Sequence, residues 1–170
     1  MGSPMPDAGP RGKPASASRT EIAHLVMPSD ANTLGTAFGG MVMQWTDLAA
    51  SMAAMRHARL PVVTASIDQL HFRAPLRIGQ MAILIAQVNA VFGTSMEVEV
   101  QVLSEDPLTG ERRRCCDAYL TFVALDAQGR PTRVGPLHVE SVEERRRERE
   151  ARLRREARLR LRDELARGTG

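Results

Sequence analysis

The sequence holds only two cysteines, Cys115 and Cys116, and they are adjacent. Neighbours cannot close an ordinary structural disulfide, and the separated pairs of a zinc site are missing, so both are expected as reduced strand residues. No apolar run is long enough to cross a bilayer, and the N-terminus lacks the charged-then-apolar layout of a secretory signal. The opening MGSPMP carries Pro6 where a myristoylation signal needs Ser or Thr. Together these absences set the expected address as cytoplasmic. There is no internal repeat, no G-x-S-x-G elbow, no H-E-x-x-H, no G-x-x-x-x-G-K-[ST] and no C-x-x-C. His24, His57, His71 and His138 are scattered and read as strand, helix-end or loop residues, with the helix dipole favouring His57 near a C-terminus. No metal site is expected.

An excess of charge is also missing from the body of the chain. The net charge is +3, and between Glu140 and Gly170 eleven arginines face eight acidic residues, which accounts for all of it. The remainder is near neutral, which argues against a broad nucleic-acid face. With 170 residues and 43% hydrophobic content the chain suits one domain with a real core.

Residues 1–20, rich in Pro, Gly, Ser and Ala, are expected as a flexible tail holding no core. Glu21 to Met27 reads as a short strand ending at the Pro28-Ser29-Asp30 turn. Gly35, Gly39 and Gly40 punctuate the next stretch, and MVMQWTDLAASMAAMRHA then runs without Gly or Pro as the one strong helix of the body. Its many Ala and Ser positions suit a central helix gripped on several sides. After Pro61 the period becomes that of strands, in VVTASIDQLHF, MAILIAQVNAVF, SMEVEVQVLSE and CCDAYLTFVAL. In SMEVEVQV, Met96, Val98, Val100 and Val102 take one face and Glu97, Glu99 and Gln101 the other, which predicts an antiparallel sheet wetted on one side. Residues 106–110 form a hairpin between the last two strands. Residues 141–170 are Arg, Glu, Leu and Ala, with acid-first pairs four apart such as Glu143/Arg147 and Glu150/Arg154. Only Leu153, Ala157, Leu161 and Leu165 line a thin apolar stripe, so this helix is expected to dock weakly or project into solvent.

The stretch MPSDANTLGTAFGGMVMQWTDLAA carries the most chemistry. Glycines opening a helix let a ligand approach unpaired N–H groups where the helix dipole favours developing negative charge, as in an oxyanion hole; a tight turn into close packing is the plainer reading. Asp47, inside a helix that otherwise favours burial, is either satisfied by a neighbouring strand or partner chain or is a working carboxylate. Seven residues separate Gly40 from Asp47. That is about two turns, or roughly 10.5 Å of rise on nearly one face. The two groups are too far apart to serve one reacting atom easily. Two such helices packed antiparallel would bring the carboxylate of one near the glycine turn of the other, giving equivalent sites at a subunit boundary.

PSDAN, GTAFGG, the Trp/Asp-bearing helix, VVTASID, HFRAPLRIG, GTSMEVEV and TFVALDAQGRP, in this order, resemble the acyl-CoA thioesterases of the YciA and brain acyl-CoA hydrolase type. The resemblance runs from about Glu21 to the charged C-terminal helix. It implies an α+β hotdog fold: an antiparallel β-sheet wrapped around one long central helix over residues 21–140, with the charged helix of 141–170 after it. It also implies hydrolysis of fatty acyl-CoA to free acid and CoA, without metal or redox cofactor, coenzyme A being part of substrate and product. By position it puts the catalytic acid on Asp47, as general base or nucleophile, a second polar catalytic residue on Asn32, and backbone donors around Gly39 and Gly40. Asn32 has an Asx-turn reading beside this. For the CoA moiety the candidates are the strand turn Gly93, Thr94 and Ser95, and Arg73, which also reads as a solvated strand-end charge; Arg77 is a weaker candidate. Trp45-Thr46 stands where relatives commonly carry an apolar residue before the acid, which bears on the pocket wall. The expected assembly is a homo-oligomer, a dimer or trimer of dimers. The alternative is a non-catalytic acyl-CoA-binding sensor, against which the presence of both Asn32 and Asp47 argues.

Overall fold

The computed structural model describes residues 11–168. In chain order the elements are β1 (Lys13–Pro14), β2 (Thr20–Leu25), α1 (Gly39–Ala58), β3 (Val62–Phe72), β4 (Met81–Phe92), β5 (Ser95–Glu105), β6 (Arg112–Ala124), β7 (Leu137–His138) and α2 (Val142–Arg167). Five strands form one antiparallel sheet in the order β2-β4-β5-β6-β3, which wraps α1 as the hotdog fold requires. Met96, Val98, Val100 and Val102 of β5 have no exposure, and Leu84, Leu120 and Phe122 pack with them against α1. The side of α1 that meets them is Ala49, Ala50, Ala53 and Ala54, all fully buried, so small side chains let the helix lie close to the sheet.

Both ends of α1 follow from local chemistry. The helix begins at Gly39 after an extended Phe38 and stops where Arg59 turns left-handed (φ 56°), its N–H returning to the Met55 carbonyl at 2.8 Å, with Pro61 soon after. Lys13 Nζ donates to the His57 carbonyl at 2.7 Å and puts a cation on the negative end of the dipole. His57 stands in the last turn of α1, as expected of a helix-end residue. Its side chain is buried, Nε2 lies 3.0 Å from the Gly135 carbonyl, and burial holds its pKa below the ordinary histidine value.

The expected flexible tail over 1–20 is corrected for its second half. β1 pairs in parallel with β7, Ala15 and Ser18 are buried, and the Ser18 hydroxyl accepts from Val88 N at 3.0 Å. β4 is irregular between Val88 and Ala90, and the Ser18 hydroxyl supplies an acceptor there. Residues 1–10 lie outside the described residues. Among the described residues, Lys13–Ser18 thus belong to the folded unit, ahead of the boundary expected at 21.

The expected wet face of the sheet is corrected as well. Glu97 and Glu99 are 1% and 6% exposed because α2 lies across them. Arg154 donates to both carboxylate oxygens of Glu97, at 2.7 and 3.2 Å, while its guanidinium sits 3.7 Å from the Tyr119 ring centroid. Arg147 reaches Glu99 at 3.5 Å, Arg158 pairs with Asp68, and Arg155 stands 4.8 Å from the Phe92 ring centroid. Ala151 is the one residue of α2 with no exposure. An arginine stem covers apolar surface while its head pairs with a carboxylate, so a helix lacking a broad apolar stripe still docks. Its start is fixed by a capping box, Ser141 Oγ accepting from Glu144 N at 3.0 Å and Glu144 Oε2 accepting from Ser141 N at 3.0 Å.

Burial raises the Glu97 carboxyl above its ordinary value, and Arg154 only partly offsets this. A carboxyl so raised favours the folded state when protonated, and that contribution is lost as pH rises through its folded value. Replacing Arg154 by Ala leaves the carboxylate buried without its partner and is expected to destabilise the fold by about 3 kcal/mol at neutral pH. The deficit should shrink as the solution is acidified, and Glu97→Leu combined with Arg154→Leu should recover most of it; thermal melts at both pH extremes check each statement.

Candidate active site

The loop between β2 and α1 delivers Asn32 and ends on the glycines. Asn32 Oδ1 accepts from Leu34 N (2.9 Å), Thr36 N (3.3 Å) and Thr36 Oγ1 (3.2 Å), so the Asx-turn reading holds. Three donors around one oxygen assign it inward and leave the amide NH₂ as the group turned away from the loop. Gly39 and Gly40 open α1, where backbone N–H groups have no intrahelical acceptor. A Cβ on Gly40 would come within 3.3 Å of the exposed Phe38 ring, which would have to shift slightly to admit it. Beside Gly39 a cleft of about 380 Å³ is lined by Thr36, Phe72, Arg73 and Pro75.

Asp47 lies farther along α1 and is partly exposed. Its Oδ1 accepts from Thr64 Oγ1 at 2.7 Å. Thr64 was not singled out from the sequence. It lies within VVTASID, but β3 has register irregularities between Thr64 and Ser66 and between Ile67 and Gln69, so alternation along the strand does not tell which side chains reach α1. The available signal was a hydroxyl early in the strand that follows the Asp-bearing helix.

α1 and β3 run antiparallel, with Gly39 by Phe72 and Asp47 by Thr64. Within one chain this separates the expected site residues into two groups. Asn32, Gly39, Gly40 and Arg73 lie toward the end of β3, and Asp47 lies toward its start. The turn Gly93, Thr94 and Ser95 joins β4 to β5 with Gly93 at φ 73°, and Ser95 and Val63 both pair with Val123, so this turn shares the Asp47 end. The carbonyls of Gly93 and Thr94 accept from Val134 N (2.9 Å) and Ala124 N (3.0 Å) and hold it rigid. Arg73, at the other end, is not simply solvated: its Nε donates to Asp117 Oδ2 at 2.8 Å. Arg77 is exposed and its N–H donates to Gln80 Oε1 at 2.9 Å.

β3 is an edge strand, and its exposed residues include Val63, Ile67 and Phe72. Met43, Leu48 and Met55 of α1 are exposed on the helix that carries Asp47. Both cysteines are free and buried, as expected of strand residues, and burial pushes the Cys116 thiol up to about 11. No helix among the described residues is long and apolar enough to cross a membrane.

Residues 34–111 match the pattern of the thioesterase superfamily. The chain is 42% identical over 119 residues to the uncharacterized acyl-CoA thioester hydrolase YkhA of Bacillus subtilis, covering 70% of this chain and 69% of that protein. It is 33% identical over 146 residues to the cytosolic acyl coenzyme A thioester hydrolase of Rattus norvegicus, covering 84% of this chain but 38% of the longer rat protein. Among solved structures, an apo-hexameric acyl-CoA thioesterase superposes with a TM-score of 0.85 at 41% identity, over 88% of this chain and 96% of that one. The Staphylococcus aureus acyl-CoA hydrolase, solved with butyryl coenzyme A, coenzyme A and coenzyme A disulfide, has a TM-score of 0.85 at 35% identity, over 92% and 95%. That hydrolase has also been solved with alanine replacing an asparagine, an aspartate and a threonine, and these follow one another at the same two sequence intervals as Asn32, Asp47 and Thr64. On this similarity of sequence and fold, the chain belongs to the hotdog acyl-CoA thioesterases of the thioesterase superfamily.

Proposed function

We propose that the chain hydrolyses acyl-CoA to free acid and CoA at a site assembled from two subunits. The observation that carries this reading is the Asp47–Thr64 hydrogen bond, formed at the end of β3 remote from the Gly39–Gly40 turn. Thr64 occupies one carboxylate oxygen. The other is left to take a proton from water or to attack the thioester carbon directly. As the new C–O bond forms, the carbonyl oxygen gains charge, which the Asn32 NH₂ and the N–H groups of Gly39 and Gly40 would receive. The C–S bond then breaks: with Asp47 as base, the CoA thiolate takes up the proton that Asp47 removed from water, and with Asp47 as nucleophile, the acyl group is left on it as an anhydride that water then hydrolyses to the free acid, the protons of that water going to the thiolate and to solvent.

One subunit cannot readily bring both halves to one atom, but two can. An unpaired edge strand is a template for another strand, and antiparallel pairing of β3 with its symmetry copy sets the start of one beside the end of the other. Asp47 and the Gly93–Ser95 turn of one subunit then meet Asn32, Gly39, Gly40 and Arg73 of its partner. The exposed apolar residues of α1 and β3 would be covered in the same step. Hexameric assembly of the solved relative is compatible with a trimer of such dimers. In this arrangement Gly93, Thr94, Ser95 and Arg73 lie to one side of the thioester and would contact the CoA phosphates. Hydrolysis by a carboxylate, an amide and backbone donors calls for no metal or redox cofactor, and the cytosolic rat relative supports a cytoplasmic location.

Turnover of an acyl-CoA series of increasing chain length, read by thiol release, tests the activity; binding without turnover on every member would favour the sensor. Asp47→Asn keeps the shape and the Thr64 contact but removes the base or nucleophile, and kcat should fall by about 10²–10⁴ with the melting temperature preserved. Near-normal kcat in that variant would take Asp47 out of the mechanism.

A further inference from the structure

The loop that supplies Asn32 and leads into Gly39 meets the body through main-chain bonds, Ala37 N to the Leu76 carbonyl at 2.7 Å and Ile78 N to the Gly35 carbonyl at 3.2 Å, and through one acidic residue that the chemistry above does not use. Asp30 is 8% exposed. Its Oδ2 accepts from Met27 N at 2.8 Å and lies 3.3 Å from His24 Nε2, while its main-chain carbonyl accepts from Phe38 N at 2.8 Å. Phe38 immediately precedes Gly39. The side chain of Asp30 therefore fixes the end of β2, and its backbone fixes the start of α1. Asn32 sits between these fixed points, where its own N–H donates to the Thr36 carbonyl at 2.9 Å. His24 links the arrangement to the core: it stands on β2, and its ring centroid is 4.2 Å from that of Trp45 in α1, which is 6% exposed. The Met27 N–H, with a smaller contribution from His24, holds the Asp30 carboxyl below its ordinary value, so it stays an acceptor over the neutral range.

We propose that Asp30, backed by His24, is a positioning residue that holds the Asn32 amide and the Gly39–Gly40 donors in one fixed geometry for the thioester oxygen. Two donors aimed at one developing charge work only if their spacing is preset, and small misplacements weaken the transition state more than the bound substrate. Asp30 stands two residues before Asn32, is nearly buried, and commits its Oδ2 to Met27 N and His24. Its role is distinct from that of Asp47, which is held by Thr64 toward the opposite end of β3 from this loop. The kinetic consequence rests on the thioesterase reading; the structural consequence, an ordered loop, does not.

The test compares wild type with Asp30→Ala, Asp30→Asn and His24→Leu by kcat, KM, melting temperature and amide exchange at Met27 and Phe38. Asp30→Ala should lower kcat about ten- to a hundredfold with KM nearly unchanged and speed exchange at both amides. Asp30→Asn retains an oxygen for Met27 N and should recover most of both readouts. His24→Leu, which spares the backbone acceptor, should show the same kcat-selective loss at about three- to tenfold, and it decides the matter if Asp30→Ala does not fold. Wild-type kcat in a folded Asp30→Ala, or a loss that tracks melting temperature and is not rescued by Asn, would overturn the proposal. If wild type turns over no acyl-CoA, the thioesterase reading fails separately, and unchanged exchange at Phe38 in the folded variants would then overturn the positioning role by itself.

Discussion

Asp47 is held by one hydrogen bond from Thr64, and this bond ties the middle of the central helix to the start of an edge strand. Because α1 and β3 run antiparallel, fixing the carboxylate at that end removes it from the glycine turn that opens the same helix. The rest of the site follows from this separation. Donors suited to a developing oxyanion gather with Asn32 and Arg73 at one end of β3, and the carboxylate and the Gly93–Ser95 turn gather at the other. In the proposed function, a symmetry copy meeting the chain along β3 would complete a site divided in this way.

The two faces of the sheet are covered by different physics. On the inner face Val98, Val100, Leu120 and Phe122 meet the alanine side of α1, and burial of apolar area supplies the stabilisation. On the outer face the α2 arginines meet Glu97, Glu99 and Asp68, with aromatic rings beneath some of the guanidinium groups. Attraction between buried opposite charges is largely offset by their desolvation, so this cover adds less net stability than its number of ion pairs suggests. What it does fix is where α2 lies, since moving the helix would strand buried carboxylates without partners.

Much of this architecture was legible in the sequence. The run without Gly or Pro before Pro61 marks α1, and period-two segments mark β3 to β6, because burial of one face imposes those periods directly. Alternation in SMEVEVQV separates two faces but does not state what covers the second. Glu97 and Glu99 read as solvated because their partners, Arg154 and Arg147, are remote in sequence and look like members of local helical pairs. Residues 13–18 read as tail because nothing local shows that Ser18 will meet a β4 backbone N–H or that Lys13 will meet the end of α1. For the site, Asp47, Asn32 and the glycines stand out through helix geometry and motif resemblance. Thr64 and Asp30 do not, since their roles are hydrogen bonds that exist only once the strand and the loop are placed beside α1.

The division of the site between two subunits is tested most directly by mixing two inactive variants. Asn32→Ala chains keep Asp47, and Asp47→Asn chains keep Asn32. Unfolded together and refolded at equal amounts, half of the dimers should be mixed, each with one complete site and one doubly broken site. If the two residues act across the subunit boundary, the mixture should regain about a quarter of wild-type kcat although each parent alone stays near zero. A mixture no more active than its parents, with subunit exchange verified by mass, would contradict a shared site and place both residues in service of one subunit.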